Sequence, residues 1–153
     1  MNIVLQLLST AQSVQKAGQR LFRPHGITVA QFNVLHVLSD VPQGMRASDI
    51  ARILVVDPSN VTGLLKRMTT DGYLVGIDNN ADRRQHVVGL SAKGRRVWSA
   101  AAADYQTRLE ALEARITKDR KAVARGLETI QSEAASILGG GDAHPAVVPT
   151  PES

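Results

Sequence analysis

Polar and basic side chains recur along one side of a helix that the sequence predicts between Asp57 and Gly72. They lie opposite an apolar side on a helical wheel. The major groove of B-DNA admits an α-helix, and such a face offers hydroxyl and amide groups to base edges and cations to phosphates. Alone, the pattern also fits an ordinary amphipathic surface helix. The apolar residues are Val61, Leu64, Leu65 and Met68, and the outward candidates are Ser59, Asn60, Thr62, Gly63, Lys66, Arg67 and Thr70.

A predicted β-hairpin follows this helix and carries two arginines near its turn. Residues 73–77 and 85–90 are short runs with β-branched side chains, separated by a turn-rich segment. Arg83 or Arg84 at the tip can enter a minor groove, whose A·T-rich narrowing concentrates negative potential. Asp82 can hold Arg84 extended through a charge-assisted pair. A solvated turn is the alternative, but a basic hairpin directly after such a helix favours contact with DNA.

Gly63 occupies the middle of the outward face. A glycine inside a helix costs about 1 kcal/mol relative to alanine. Its presence fits a close approach of a ligand to the backbone, but sequence drift is the simpler interpretation.

The charge of the chain is concentrated around these two elements. The 153 residues carry a formal net charge of +4. Residues 46–96 contain nine basic and five acidic side chains, so this segment accounts for the whole excess. A basic patch of this kind is typical of proteins that bind a polyanion.

Composition and local signals predict mainly helical elements around the basic segment. Apolar content is 43% and aromatic content only 3%, which suits one unit of helices packed through small side chains. Three- and four-residue apolar steps predict a helix over residues 3–22, and Thr28, Asp57 and Ser91 suit the N-caps of three others. The helix after Ser91 has an apolar seam at nearly uniform four-residue steps, from Val97 to Ile116. The last helix repeats apolar residues with coiled-coil spacing, which requires a partner. Its seam is Val123, Leu127, Ile130, Ala134 and Ile137.

Several classes of function are disfavoured by what the sequence lacks. The chain has no cysteine, which excludes disulfides and thiolate metal sites. No phosphate-binding glycine loop, His-Glu zinc motif or nucleophile elbow occurs, so we expect no enzyme, cofactor or metal. No run reaches the roughly 18 apolar residues that a membrane span needs. The expected location is the cytoplasm.

The order of several motifs resembles the MarR family of winged-helix transcriptional regulators. Five segments carry the resemblance: residues 25–32, residues 48–62, residues 71–75, Asp82-Arg83-Arg84 and residues 90–94. The resemblance implies a mainly α fold with a β-hairpin wing, residues 1–138 forming one unit. Within it, residues 28–90 would form the winged helix-turn-helix DNA-binding lobe, and residues 1–24 and 92–138 the dimerisation helices. We expect residues 139–153, rich in Gly and Pro, to be a disordered tail.

The resemblance also implies a homodimer that places two recognition helices in major grooves and two wings in minor grooves. Arg84 corresponds by position to the family's wing arginine, and Asp82 to its supporting carboxylate. Two departures occur: Gly63 replaces a larger, often basic residue, and Arg46 stands where a hydroxyl cap is common. Relatives that sense peroxide or zinc use cysteine or clustered histidines, which this chain lacks.

Many relatives bind a small aromatic or anionic effector between the dimerisation helices and the DNA-binding lobe. The residues that could line such a site here are Arg20, Arg23, His36 and Tyr105, although a structural or surface role is the simpler interpretation of each. The sequence therefore predicts a ligand-responsive repressor that binds a palindromic operator in double-stranded DNA as a homodimer. The alternatives are a regulator without an effector and a helical dimer that works through protein contacts.

Overall fold

The computed structural model of the chain describes residues 2–77 and 87–137. These residues form helices and short strands, joined in one place by a 3-10 turn at Arg23–His25. In chain order the elements are α1 (Ile3–Phe22), α2 (Val29–Ser39), β1 (Met45–Arg46), α3 (Ala47–Leu54), α4 (Pro58–Thr70), β2 (Leu74–Ile77), β3 (Val87–Leu90), α5 (Ala92–Arg115) and α6 (Arg120–Ile137).

The helix starts follow from local capping, as the sequence predicts. Thr28 and Gln31 form a reciprocal capping box at the start of α2. Asp57 accepts a hydrogen bond from the amide of Ser59 at the start of α4, and the Ser91 hydroxyl accepts one from the third residue of α5. These side chains satisfy backbone donors that have no partner inside the helix. The predicted caps at Thr28, Asp57 and Ser91 are confirmed.

The hydrophobic core lies where α2, α3 and α4 meet beneath the first half of α5. Fully buried side chains from each of the first three helices fill it, including Leu35 of α2, Ile50 of α3 and Met68 of α4. Ala101 brings the middle of α5 against the same cluster. Full burial of a side chain such as that of Leu35, Ile50 or Met68 contributes about 1.5–3 kcal/mol. The core therefore fixes α4 relative to both α2 and α5.

A small antiparallel sheet stands beside α4. β3 is its central strand, with β2 on one side and β1 on the other. The β2–β3 pairing confirms the predicted hairpin, with Leu74 opposite Leu90 and Ile77 opposite Val87. The short β1 strand was not predicted. It brings Arg46 opposite Val87, and Arg46 also precedes α3 without capping it through its side chain.

The helices at the two ends of the chain leave their apolar seams exposed. In the single chain α6 has no buried residue, and Phe22 is the only buried residue of α1. Leu8 is 55% exposed and Ile137 is 84% exposed. The seam predicted for the fifth helix extends one residue too far, because α5 ends at Arg115 and Ile116 follows it. Among the described residues, no helix is long and apolar enough to cross a membrane.

Candidate nucleic-acid interface

The inner side of α4 is anchored in the core. Val61, Leu65 and Met68 are buried, and Leu64 is half-buried beside them. Their three- and four-residue spacing puts all four on one side of the helix. The predicted inward face is confirmed, and the opposite side of α4 faces solvent.

Side chains at the start of α4 are oriented by hydrogen bonds within the helix. The Ser59 hydroxyl and amide both donate to the Asp57 carboxylate, and these bonds lower the pKa of Asp57. The Thr62 hydroxyl donates to the carbonyl of Pro58 at 3.0 Å. Each hydroxyl keeps lone pairs that face outward as acceptors. The hydroxyl oxygens of Ser59 and Thr62 can therefore accept hydrogen bonds from donors such as the exocyclic amino group of a base.

The two cations of α4 project from its outer side. Lys66 and Arg67 are exposed, and neither forms an ion pair with a carboxylate in residues 2–77 or 87–137. A β-carbon added at Gly63 would lie 3.6 Å from Nη1 of Arg67, so the guanidinium folds back over the glycine. A β-carbon at Gly63 would therefore meet Arg67 only at ordinary van der Waals distance. Sequence reasoning had not connected these two residues.

The structure brings the α4 candidates together on one face. Ser59, Asn60, Thr62, Lys66 and Arg67 are all exposed there, with half-buried Gly63 between them. The remaining candidates, Asp82, Arg83 and Arg84, belong to the connection between β2 and β3 and lie outside the described residues.

The turn between α3 and α4 contains an unusual backbone conformation. Val55 has φ 54° and ψ 48°, in the left-handed region that glycine normally occupies. The amide of Val56 donates to the carbonyl of Ala51, and that of Val55 to Arg52. This is a Schellman arrangement with a β-branched residue at its left-handed position. It ends α3 two residues before the cap of α4, so it sets the angle between the two helices.

A second group of conspicuous side chains lies where α1, α2 and α5 meet. The rings of Phe22 and Phe32 stack with their centroids 4.0 Å apart. The centroid of Tyr105 lies 5.3 Å from that of Phe32, the centroid of His36 lies 5.5 Å from that of Phe32, and the His36 and Tyr105 centroids are 6.4 Å apart. Trp98 completes the group through His36. We call these five residues the aromatic cluster. It contains four of the five Phe, Tyr and Trp residues of the chain, so these side chains are concentrated in one place.

The structure places two of the four residues named for an effector site in the aromatic cluster, and Trp98, which was not named from the sequence, lies beside them. His36 and Tyr105 lie in the cluster, whereas Arg20 and Arg23 are exposed at the end of α1 on either side of Phe22. Trp98 was overlooked because the predicted seam of α5 followed four-residue steps. Its spacing of seven from Tyr105, two helical turns, was the available signal.

The environment of His36 in the cluster favours its neutral form. Burial lowers its pKa, and the charge of Asp40 opposes that effect. The imidazole Nδ1 lies 3.2 Å from Nε1 of Trp98, which can only donate. In residues 2–77 and 87–137, no group of three or more His, Asp or Glu side chains is arranged to hold a metal ion.

These elements define a winged helix-turn-helix protein, with α3 and α4 as the helix pair and β2–β3 as the wing. A family model described as MarR family matches residues 25–85. The fold is also that of solved MarR-type regulators. In the Staphylococcus aureus MepR–DNA complex, the TM-score is 0.80 at 16% identity, covering 87% of this chain and 98% of that one. CouR from Rhodococcus jostii RHA1, bound to p-coumaroyl-CoA, gives 0.71 at 24% identity, covering 87% and 92%.

Curated relatives point to the same family. The chain is 36% identical over 102 residues to the transcriptional activatory protein BadR of Rhodopseudomonas palustris, covering 65% of this chain. That match spans 58% of BadR, less than two thirds of its length. The homoprotocatechuate degradative operon repressor of Escherichia coli is 23% identical over 120 residues, covering 78% of this chain and 80% of the relative. Residues 25–85 of the chain therefore match the MarR family model, and the chain is similar to MarR-type regulators over a larger part of its length.

Proposed function

We propose that the protein is a transcriptional regulator that binds double-stranded DNA as a homodimer. The observation that carries the proposal is the outer face of α4. Its inner side is fixed in the core, and its outer side presents acceptors near the start and the cations Lys66 and Arg67 further along. A helix so presented matches the width of the major groove, with cations placed for phosphates. Asp82, Arg83 and Arg84 of the wing are proposed to act in the adjacent minor groove, with Asp82 supporting Arg84.

The dimer is proposed from the exposed seams of α1 and α6. Most of the stability of a helix in a protein comes from packing its apolar face, and α6 has no buried residue within its own chain. Val123 and Leu127 are exposed on successive turns of α6, and Leu5 and Leu8 are exposed near the start of α1. A second copy would cover these side chains. A dimer would present two copies of α4 to an inverted repeat with half-sites about one helical turn apart.

The proposal is tested by selecting bound duplexes from random DNA with the purified full chain. We expect an inverted repeat, which we call the selected duplex. Lys66→Ala and Arg67→Ala should each weaken binding and reduce the slope of log affinity against log salt by about one. Lys118→Ala, which removes an exposed cation between α5 and α6, is the matched control and should leave both quantities unchanged.

Two results would count against this function. Failure to enrich any sequence, with no duplex retained at low salt, would remove DNA as the partner. Sedimentation showing a monomer at micromolar concentration would remove the dimer, and a dimer that retains no DNA would favour the helical protein-interaction alternative. Leu127→Glu tests the seam directly, because a carboxylate there should shift the monomer–dimer equilibrium toward monomer.

We further propose that a small aromatic acid is the effector and that it binds at the aromatic cluster. Phe22 and Phe32 are buried, whereas His36, Trp98 and Tyr105 are only half-buried and can present ring surface to a ligand. The exposed cations at the end of α1 can attract a carboxylate. These are Arg20 and Arg23. The name of the E. coli relative refers to homoprotocatechuate degradation, and the CouR structure holds a p-coumaroyl thioester.

Trp98 provides the readout for the effector. It is the only tryptophan in the chain, so tryptophan emission, excited selectively over tyrosine, reports on the cluster alone. Titration with benzoate, 4-hydroxyphenylacetate and p-coumarate should change the emission with saturation for at least one of them. The same compound should release the selected duplex. If none of these compounds acts on either signal, the effector proposal fails in favour of a regulator without an effector.

The direction of regulation is proposed to be repression that the effector relieves. The E. coli relative is a repressor and BadR an activatory protein, so relatives do not decide the sign. A reporter placed downstream of the selected duplex, with and without the protein, measures it. Such a regulator works on DNA in the cytoplasm, and we assign it no enzymatic activity.

A further inference from the structure

The end of α4 is joined to the first turn of α5 by an unusual concentration of hydrogen bonds. α4 ends in a Schellman motif: Gly72 has φ 78°, and the amide of Tyr73 donates to the carbonyl of Met68 at 2.9 Å. Three consecutive carbonyls follow, and each lies within hydrogen-bond distance of a side chain from the start of α5. They belong to Asp71, Gly72 and Tyr73.

Ser91 contacts the residues directly after α4. Its hydroxyl lies 2.6 Å from the carbonyl oxygen of Gly72 and 3.0 Å from that of Tyr73. The same oxygen accepts from the amide of Gly94 at 2.9 Å, which caps α5. A β-carbon on Gly94 would lie 2.0 Å from the Tyr73 carbonyl oxygen, so only glycine permits this approach of the two backbones. The two segments are thus in direct backbone contact.

Lys93 lies on the solvent side of this contact between the end of α4 and the start of α5, which we call the junction. Its ammonium donates to the carbonyl of Asp71 at 2.7 Å and lies 4.4 Å from the centroid of the Tyr73 ring. Its aliphatic chain passes over Gly72, where an added β-carbon would lie 3.8 Å from Cδ. A cation at the C-terminal end of α4 also complements the helix dipole.

We infer that Lys93 is a positioning residue that makes α4 and α5 move as one rigid piece. This inference rests on the proposed function, because its value lies in fixing the direction in which α4 is presented to DNA. α5 runs for 24 residues, about 36 Å, from this junction past the aromatic cluster. In a dimer, a displacement of α5 would then change the distance between the two α4 helices. Lys93 therefore sets how strictly the protein discriminates half-site spacing, without contacting a base or phosphate itself.

The experiment compares Lys93→Met with Lys93→Arg and with Lys118→Met in the full chain. Methionine keeps an aliphatic chain over Gly72 and Tyr73 but removes the donor and the charge. Affinities are measured for the selected duplex and for duplexes with one base pair added or removed between the half-sites. We expect Lys93→Met to reduce the preference for correct spacing about fivefold, or about 1 kcal/mol at 25 °C. Lys93→Arg should restore most of it, and Lys118→Met should change nothing.

Salt dependence separates positioning from a direct phosphate contact. If Lys93 bound a phosphate, Lys93→Met would weaken all duplexes equally and reduce the salt slope by about one. That result, or an unchanged spacing preference, would overturn the inference. Tyr73→Leu provides a second variant that leaves every charge in place. It removes the ring beneath the ammonium and should reproduce part of the loss of spacing preference.

Amide hydrogen exchange tests the junction without DNA. In the free protein, Lys93→Met should speed exchange at the amides of Gly72 and Tyr73 about fivefold, because local opening becomes easier. Exchange at the buried Leu65 should stay as in the unmodified protein. Unchanged exchange at all three amides would refute the junction itself. A protein that binds no DNA but shows the faster exchange would refute the proposed function and leave the junction standing.

Discussion

The indole Nε1 of Trp98 donates a hydrogen bond to Nδ1 of His36 over 3.2 Å, which ties α5 to α2 through the aromatic cluster. Nδ1 can accept this bond only while it carries no proton. Burial keeps the imidazole in that state by lowering its pKa below the ordinary value of 6.5, against the opposing charge of Asp40. The hydrogen bond between α2 and α5 is therefore sensitive to acid.

Stability should fall as the pH drops below about 6.5. The unfolded chain takes up a proton on His36 near pH 6.5, whereas the folded chain does so only at lower pH. Between those two values the unfolded state binds more protons, so the free energy of unfolding rises with pH across that window. Urea unfolding at pH 7.5, 6.5 and 5.5 measures it. His36→Gln should flatten the dependence, whereas a slope equal to that of the unmodified protein would place the effect elsewhere.

Local chemistry explains how far the fold could be predicted. Thr28, Asp57 and Ser91 cap their helices through partners two or three residues away, so the sequence contains the whole interaction. β1 escaped prediction because its two residues become a strand only by pairing with β3, some forty residues later, as Met45 does with Val88. A pairing so short leaves no periodic pattern to recognise.

The same distinction between local and long-range contacts applies to the candidate site. The outward face of α4 follows from one helical period, so its residues could be named from the sequence. The contact of Trp98 with His36 joins residues 62 positions apart, and the bond from Lys93 to Asp71 joins residues 22 apart. Such contacts depend on how whole elements pack. The sequence identified Lys93 within a motif but gave no indication of its partner.

Replacing Val55 by glycine should stabilise the protein. A left-handed conformation costs an L-residue about 1–2 kcal/mol, and glycine avoids that cost. Glycine loses about 0.5–1 kcal/mol through the greater freedom of the unfolded chain. Val55 is 79% exposed, so little apolar burial is lost. We expect a net gain of about 1 kcal/mol in urea unfolding for Val55→Gly. Val56→Gly, without the left-handed backbone, should lower stability, and a loss in both variants would show that Val55 is unstrained.

Gly63→Ala should also raise stability, by about 1 kcal/mol, because alanine is the better helix former. The added β-carbon would meet only Nη1 of Arg67 at 3.6 Å, an ordinary contact with the end of a flexible side chain. Gly126→Ala is the matched control, since it also adds a β-carbon inside a helix, with nothing within 4 Å of it. Both should gain stability alike in thermal unfolding. A loss of DNA affinity confined to Gly63→Ala would mean that DNA approaches the α4 backbone there, and equal affinities would mean that it does not.

Arg84→Ala should weaken binding to the selected duplex while leaving the dimer intact. An arginine in a narrow minor groove responds to the potential of A·T-rich DNA, so its loss should cost about 1–3 kcal/mol, or roughly 5- to 150-fold in affinity. Sedimentation checks the dimer. Asp82→Asn should cost less, because it removes only the support proposed for the guanidinium and leaves Arg84 in place.

Exchanging the DNA makes the assignment of Arg84 specific. When the A·T pairs flanking each half-site are replaced by G·C pairs, the unmodified protein should lose affinity, since the groove widens and its potential weakens. Arg84→Ala should respond little to the same exchange, because the residue that senses the groove is already gone. Protein and DNA changes together form a double-mutant cycle with a coupling energy that isolates this one contact. A coupling energy of zero would mean that Arg84 acts on the phosphate backbone, and the minor-groove role would then be wrong.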